Sequence, residues 1–160
     1  MVEKEGKNQQ KEAKSKIWGF TLSIGLSAGV IWGLLSLLAY YLQFTDIGPS
    51  IYAKPFLNPD YVLKWQGHFI GVVFFIVYSV IATFIYTKFL VKFKGPWAGI
   101  IYGIILWGIV FFLLNPLLKL TKPVKELGLN TNSVMISLYI LTGLFIGYSI
   151  SVEFNTEDDS

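Results

Sequence analysis

The chain has 160 residues, of which 54% are hydrophobic, 17% aromatic and only 14% charged, with a net charge of +3. Together with a mean hydropathy of +0.58, that balance excludes an ordinary soluble globular domain and makes the bilayer its solvent. It contains no cysteine, which excludes a disulfide framework, thiolate chemistry, an iron–sulfur cluster and a lipid anchor on a C-terminal cysteine.

Residues 1–16 form a tail rich in Lys, Glu and Gln, expected to be mobile and cytoplasmic, with its lysines near anionic headgroups. The first span is predicted from about Ile17 to Tyr41. At about 25 residues it is longer than a cleavable signal core, and it lacks a small-x-small site, so it reads as an uncleaved anchor. Within it Gly25, Gly29 and Gly33 recur at four-residue spacing, and with Ser36, Tyr40 and Gln43 they share one helical stripe. In lipid, small faces that let backbones approach are what hold helices together.

A loop from Phe44 to Trp65 follows, carrying Pro49, Pro55 and Pro59 among aromatic and aliphatic residues. It is expected to lie in the headgroup region, with a short interfacial helix after Asn58-Pro59-Asp60 and, as the functional alternative, a lid over an outer cavity. The second span is predicted from Gly67 to Thr87, with Gly67, Gly71, Tyr78 and Ala82 on one face. After an acid-free loop with Lys88, Lys92 and Lys94, the third runs from Trp97 to Leu114, and Gly95, Gly99 and Gly103 repeat the small-residue spacing. Asn115-Pro116 ends its regular part, because proline lacks the amide donor. The fourth span, Ser133 to Val152, places Ser133, Ser137, Gly143, Gly147 and Ser151 on one face, and an acidic tail occupies residues 153–160.

All thirteen basic residues are lysines. Eight fall in the N-terminal tail and the middle loop, and five fall in the other two loops among Asp46, Asp60 and Glu126. The positive-inside rule then places both termini of the spanning domain, residues 17–152, on the cytoplasmic side. A shift of 70 residues aligns GLSAGVIWGLL from Gly25 with GPWAGIIYGII from Gly95, and FIVYSV from Phe75 with FIGYSI from Phe145. Such a match is expected of two parallel two-helix repeats related by an axis along the membrane normal.

Polar residues inside membranes are functional candidates by default. Gln43, Asp46, His68, Asn115 and Lys119 all fall near the outer boundary and form a candidate outer polar site. Gly25-Leu26-Ser27-Ala28-Gly29 matches G-x-S-x-G, but that motif needs a strained strand-to-helix turn. Ser27 also lies about 15 Å inside one boundary, with the lone His68 at the other, so no serine hydrolase is expected. One histidine without further ligands makes no metal site. No catalytic residue, metal ligand or cofactor is therefore predicted.

From Lys94 onward the run containing GPWAGIIYG, the Asn115-Pro116 pair and LFIGYSIS resembles the YqhR family, conserved membrane proteins of spore-forming Gram-positive bacteria, and YYLQFTDIGPS with the following KPF is similar too. The resemblance implies a four-helix protein of the cytoplasmic membrane and carries no activity or functional residue with it. The chain is expected to be an all-α, polytopic four-helix bundle. Its expected partners are the lipid bilayer and a second copy or another membrane protein, not nucleic acid. A structural or partner-binding role is expected, with a small transporter or channel component as the alternative.

Overall fold

The structure is a computed structural model that describes the backbone of residues 2–93 and 95–158 and the side chains of residues 6–93 and 95–154. Four helices are long and apolar enough to cross a membrane. They are α1 (Val2–Tyr41), α3 (Trp65–Phe89), α4 (Pro96–Gly108) with its continuation to Leu118, and α6 (Leu129–Asp158). Two short helices, α2 (Pro59–Val62) and α5 (Asn115–Leu118), sit at the end of the bundle away from Val2 and Asp158, the end expected to face outward. The chain is an all-α polytopic membrane protein.

Both tails carry regular backbone. The backbone of residues 2–16 continues the first span as helix, and α6 runs helically to Asp158. Both segments are rich in Lys, Glu and Gln or contain no proline or interior glycine pair, so helix propagates from the apolar span at little cost per residue.

The helices pair as two antiparallel hairpins, α1 with α3 and α4 with α6. Glycines set the first pairing. A β-carbon on Gly25 would lie 2.8 Å from Val80 Cα, one on Gly29 2.6 Å from Ile76 Cα, and one on Gly33 3.2 Å from Val72 Cγ1. Trp18 stacks on Phe84 with centroids 5.1 Å apart, and the hydroxyls of Thr21 and Thr87 meet at 3.3 Å, so the inner end of the seam is closed as well. In the second hairpin the glycines interleave. Gly143 sits between Gly99 and Gly103, and a β-carbon on Gly99 would lie 2.6 Å from the Gly143 carbonyl oxygen. The offset of 70 residues carries the first pairing close to the second.

Three predicted packing glycines do something else. Gly95 has φ 107° and open space around it, so it serves the turn into α4 as a residue without a β-carbon penalty. Gly67 faces the backbone of the short α2 at Tyr61 and Gly71 that of the loop after α1 at Pro49, rather than another spanning helix. The polar stripe on α6 also divides. Ser133 and Ser137 are exposed, whereas the buried line is Thr131, Met135, Tyr139, Thr142, Ile146 and Ile150.

The α4 helix widens to i→i+5 bonding over Ile109–Leu114 and then continues through Pro116 to Leu118. Pro116 cannot donate to residue 112, and its ring crowds that carbonyl, so the turn before it expands instead of the helix stopping. The α1–α6 contact joins the hairpins. An outer core holds Ile51, Tyr52, Phe75, Phe111, Met135 and Tyr139, and an inner core Ala28, Ala82, Tyr86, Tyr102, Ile146 and Ile150.

Gly29→Leu and Gly99→Leu should each destabilise the bundle by about 3 kcal/mol or more, because the added carbons meet backbone that cannot move aside. Gly19→Ala, with nothing within 4 Å, should shift stability by less than about 1 kcal/mol, in the stabilising direction. Helical melting curves in detergent compare the three; equal melting of all three would contradict the seams.

Candidate functional site

The polar chemistry gathers at the outer end, and the loop after α1 organises it. The loop expected among headgroups is in part covered by protein. Thr45 and residues 47–53 are buried between the helices, while Phe56 and the short α2 stay exposed. Its insertion follows from local chemistry. Gly71 has no β-carbon where the Pro49 carbonyl passes, and Gly48 leaves room for the His68 ring. The inserted backbone bonds to itself through Ile51 N–H to the Gly48 carbonyl at 3.3 Å, Ala53 N–H to the Ser50 carbonyl at 3.1 Å, and Ile47 N–H to Thr45 Oγ1 at 3.1 Å. Irregular backbone buried away from water is tolerated when protein satisfies it in this way.

Cross-links then fix the loop to the second hairpin. The Asp46 N–H donates to Thr131 Oγ1 at 3.1 Å, and that hydroxyl donates to the Asp46 carboxylate at 3.2 Å. Lys54 Nζ donates to the Leu120 carbonyl at 2.8 Å. Lower down, the Tyr52 and Tyr139 hydroxyls pair at 2.9 Å, and Tyr78 donates to the Tyr52 carbonyl at 3.2 Å. Burial pushes the Tyr52 phenol up to about 12, against the opposing pull of its bond with Tyr139, so it stays neutral and serves as a hydrogen-bonding post.

Of the five predicted polar residues, the structure brings two together. Asp46 and His68 share a shallow recess of about 410 Å³ with Tyr40, Lys54, Thr121 and Lys122. His68 is buried with its ring 4.4 Å from that of Tyr40, and its Nδ1 has no hydrogen-bond partner among the described residues. Asn115 is buried and holds the turn after α5, donating to the Lys122 carbonyl at 3.0 Å and accepting from the Thr121 N–H at 2.8 Å. Gln43 and Lys119 are exposed and adopt positive φ, 60° and 49°, where α1 and α5 end. They terminate helices and do not line the recess.

Lys54, Lys122 and Thr131 were not singled out by the sequence, because lysines and threonines in outer loops are unremarkable until the loops cross. Ser27 is exposed on the lipid-facing side of α1. With Gly29 against Ile76, His68 lies ten residues of α3 away from the level of Ser27, about 15 Å along the axis. The G-x-S-x-G match brings no base to its serine. No group of three or more His, Cys, Asp or Glu side chains converges among the described residues.

Asn115→Ala should cost about 2 kcal/mol, since it strands a buried amide and a carbonyl. Hydrogen exchange should accelerate at Thr121 and its neighbours while the helical cores stay protected; unchanged exchange there would remove Asn115 from this role.

A family model described as conserved membrane protein YqhR matches residues 2–160. A Bacillus subtilis (strain 168) protein named "Uncharacterized protein YqhR" is 34% identical over 148 residues, covering 92% of this chain and 83% of that protein. No solved structure matches.

Proposed function

The chain belongs to the YqhR family of conserved membrane proteins, and from that premise we propose that it is a non-enzymatic structural or partner-binding component of the cytoplasmic membrane. The observation that carries this reading is how the outer polar residues are used. Asp46, Lys54 and Thr131 spend their hydrogen bonds on tying the loop after α1 to the second hairpin, and Asn115 spends its own on the turn after α5. The result is a fixed outer platform, with Asp46 and Lys122 exposed at the recess, suited to recognition by preorganisation. Another membrane protein or a second copy of the chain is its proposed partner.

The start of α1 at Val2 and the end of α6 at Asp158 lie at one end of the bundle, which Lys88 and Lys92 share. The lysine distribution supports a cytoplasmic placement for that end. The transporter reading needs a water path below the recess, toward the buried Ser36, whose hydroxyl has no partner among the described residues. The inserted residues Ile47, Pro49 and Ile51 lie across the outer end of the bundle, which favours a sealed cap.

Because the chain has no native cysteine, single substitutions test orientation and sealing directly. Lys122→Cys should react with a membrane-impermeant maleimide on intact cells, Lys92→Cys only after permeabilisation, and Ser36→Cys in neither case. Labelling of Ser36→Cys from outside would transfer support to the transporter. Native mass spectrometry from native-lipid nanodiscs should find a homo-oligomer or a recurrent protein partner. A monomer without one would count against the assembly reading.

A further inference from the structure

Because the two hairpins run in the same sense, an axis along the bundle equates α1 with α4 and α3 with α6. The α1–α6 contact therefore has a counterpart, α3 against α4. The first is packed. At the second, the close contact lies toward the inner end, where the Tyr102 hydroxyl donates to the Ala82 carbonyl at 2.6 Å and the rings of Tyr86 and Tyr102 meet at 5.1 Å. Outward of that contact the helices enclose a cavity of about 230 Å³.

The cavity's rim and floor differ in kind. Ile81 and Ile85 of α3 and Ile109 of the widened turn line it and are themselves exposed, within spanning helices. The opening thus faces sideways into hydrocarbon. The floor is made by buried residues, among them Phe75, Ser79 and Tyr139, and the inserted loop closes the outer end with Tyr52 and Pro55. Along α3 the lining runs from Phe75 to Ile85, about 15 Å. A volume of about 230 Å³ drawn out over that length has the proportions of one alkyl chain.

We propose that this side window is a binding site for a single acyl chain of a bilayer phospholipid, held as a resident lipid and distinct from the exchanging annulus. Water is a poor occupant. The hydroxyls of Tyr52, Tyr78, Tyr139 and Thr142 on the lining are all hydrogen-bonded within the protein, which leaves Ser79 Oγ as the unpaired buried side-chain polar atom among the described lining residues. A buried water needs two to four polar partners. Hydrocarbon needs none, and an empty cleft would forfeit the dispersion contacts of its whole lining. Recognition is therefore apolar, and Ser79 contributes space rather than a hydrogen bond.

The test uses the full chain in phosphatidylcholine vesicles doped with a phosphatidylcholine that carries a photoreactive diazirine midway along one acyl chain. Adducts on residues 79–85 and 106–110 should exceed those on the exposed α1 residues Leu26 and Leu34 by at least tenfold per residue. Ser79→Leu and Val110→Trp, which fill the window, should remove that excess and leave labelling at Leu26 and Leu34 unchanged, which also reports that each variant still folds. Ser79→Ala should retain it. Equal labelling of window and α1 face in the wild-type protein overturns the proposal whatever the variants do. So does an excess that survives both fillings in variants whose α1 labelling is normal.

Discussion

The structure depends on backbone meeting backbone across glycine. Inside a bilayer, Leu against Leu gains nothing over Leu against lipid, so association rests on close packing. Gly29 against Ile76 and Gly99 against Gly143 bring helix axes near enough for whole turns to interlock. The opposite sides of the same helices carry Leu26, Val30, Leu34 and Leu38 on α1 and Ile101, Ile104 and Ile105 on α4, all exposed to lipid. Each helix thus has a small side that packs and a bulky side that dissolves in the membrane.

A second constraint shapes the outer end. Backbone that enters a membrane without being helical must find its hydrogen bonds in the protein. The loop over residues 45–53 meets that demand with its own tight turns and with Thr45, and it gains by burying Ile47, Ile51 and Tyr52 against Phe75 and Tyr139. Its neighbours are held by Asp46, Lys54 and Asn115. Read along the chain, Gln43, Asp46, His68, Asn115 and Lys119 make one candidate outer polar site, yet in space Asp46 and Asn115 hold loops while Gln43 and Lys119 end helices. What remains for recognition is the surface they stabilise.

The two hairpins are alike in their seams and unlike in their surroundings. One inter-hairpin face is packed by α1 and α6. On the other, the Pro116-driven expansion at Ile109–Leu114 and the inserted loop flank a lipid-facing window between α3 and α4. Asymmetry in a pseudo-symmetric bundle is where a specific site can arise, because there the packing demand common to both halves has been left unmet by the protein itself.

Several features were legible along the chain. Twenty-residue apolar runs can only be spanning helices in a protein of this composition, and four-residue glycine spacing marks the side of a helix that allows close approach. The hairpin pairing is foreshadowed by the 70-residue similarity. Tertiary structure alone decided the rest. Gly95 and Gly71 share the spacing of Gly29, yet one serves a left-handed turn and the other admits a loop, and that difference depends on what arrives from elsewhere in the chain. Asp46 meets Thr131 across 85 residues. The burial of the outer loop, the dispersal of Gln43 and Lys119 to helix ends, and the window between α3 and α4 follow from how rigid hairpins settle against each other, and no local pattern encodes that distance.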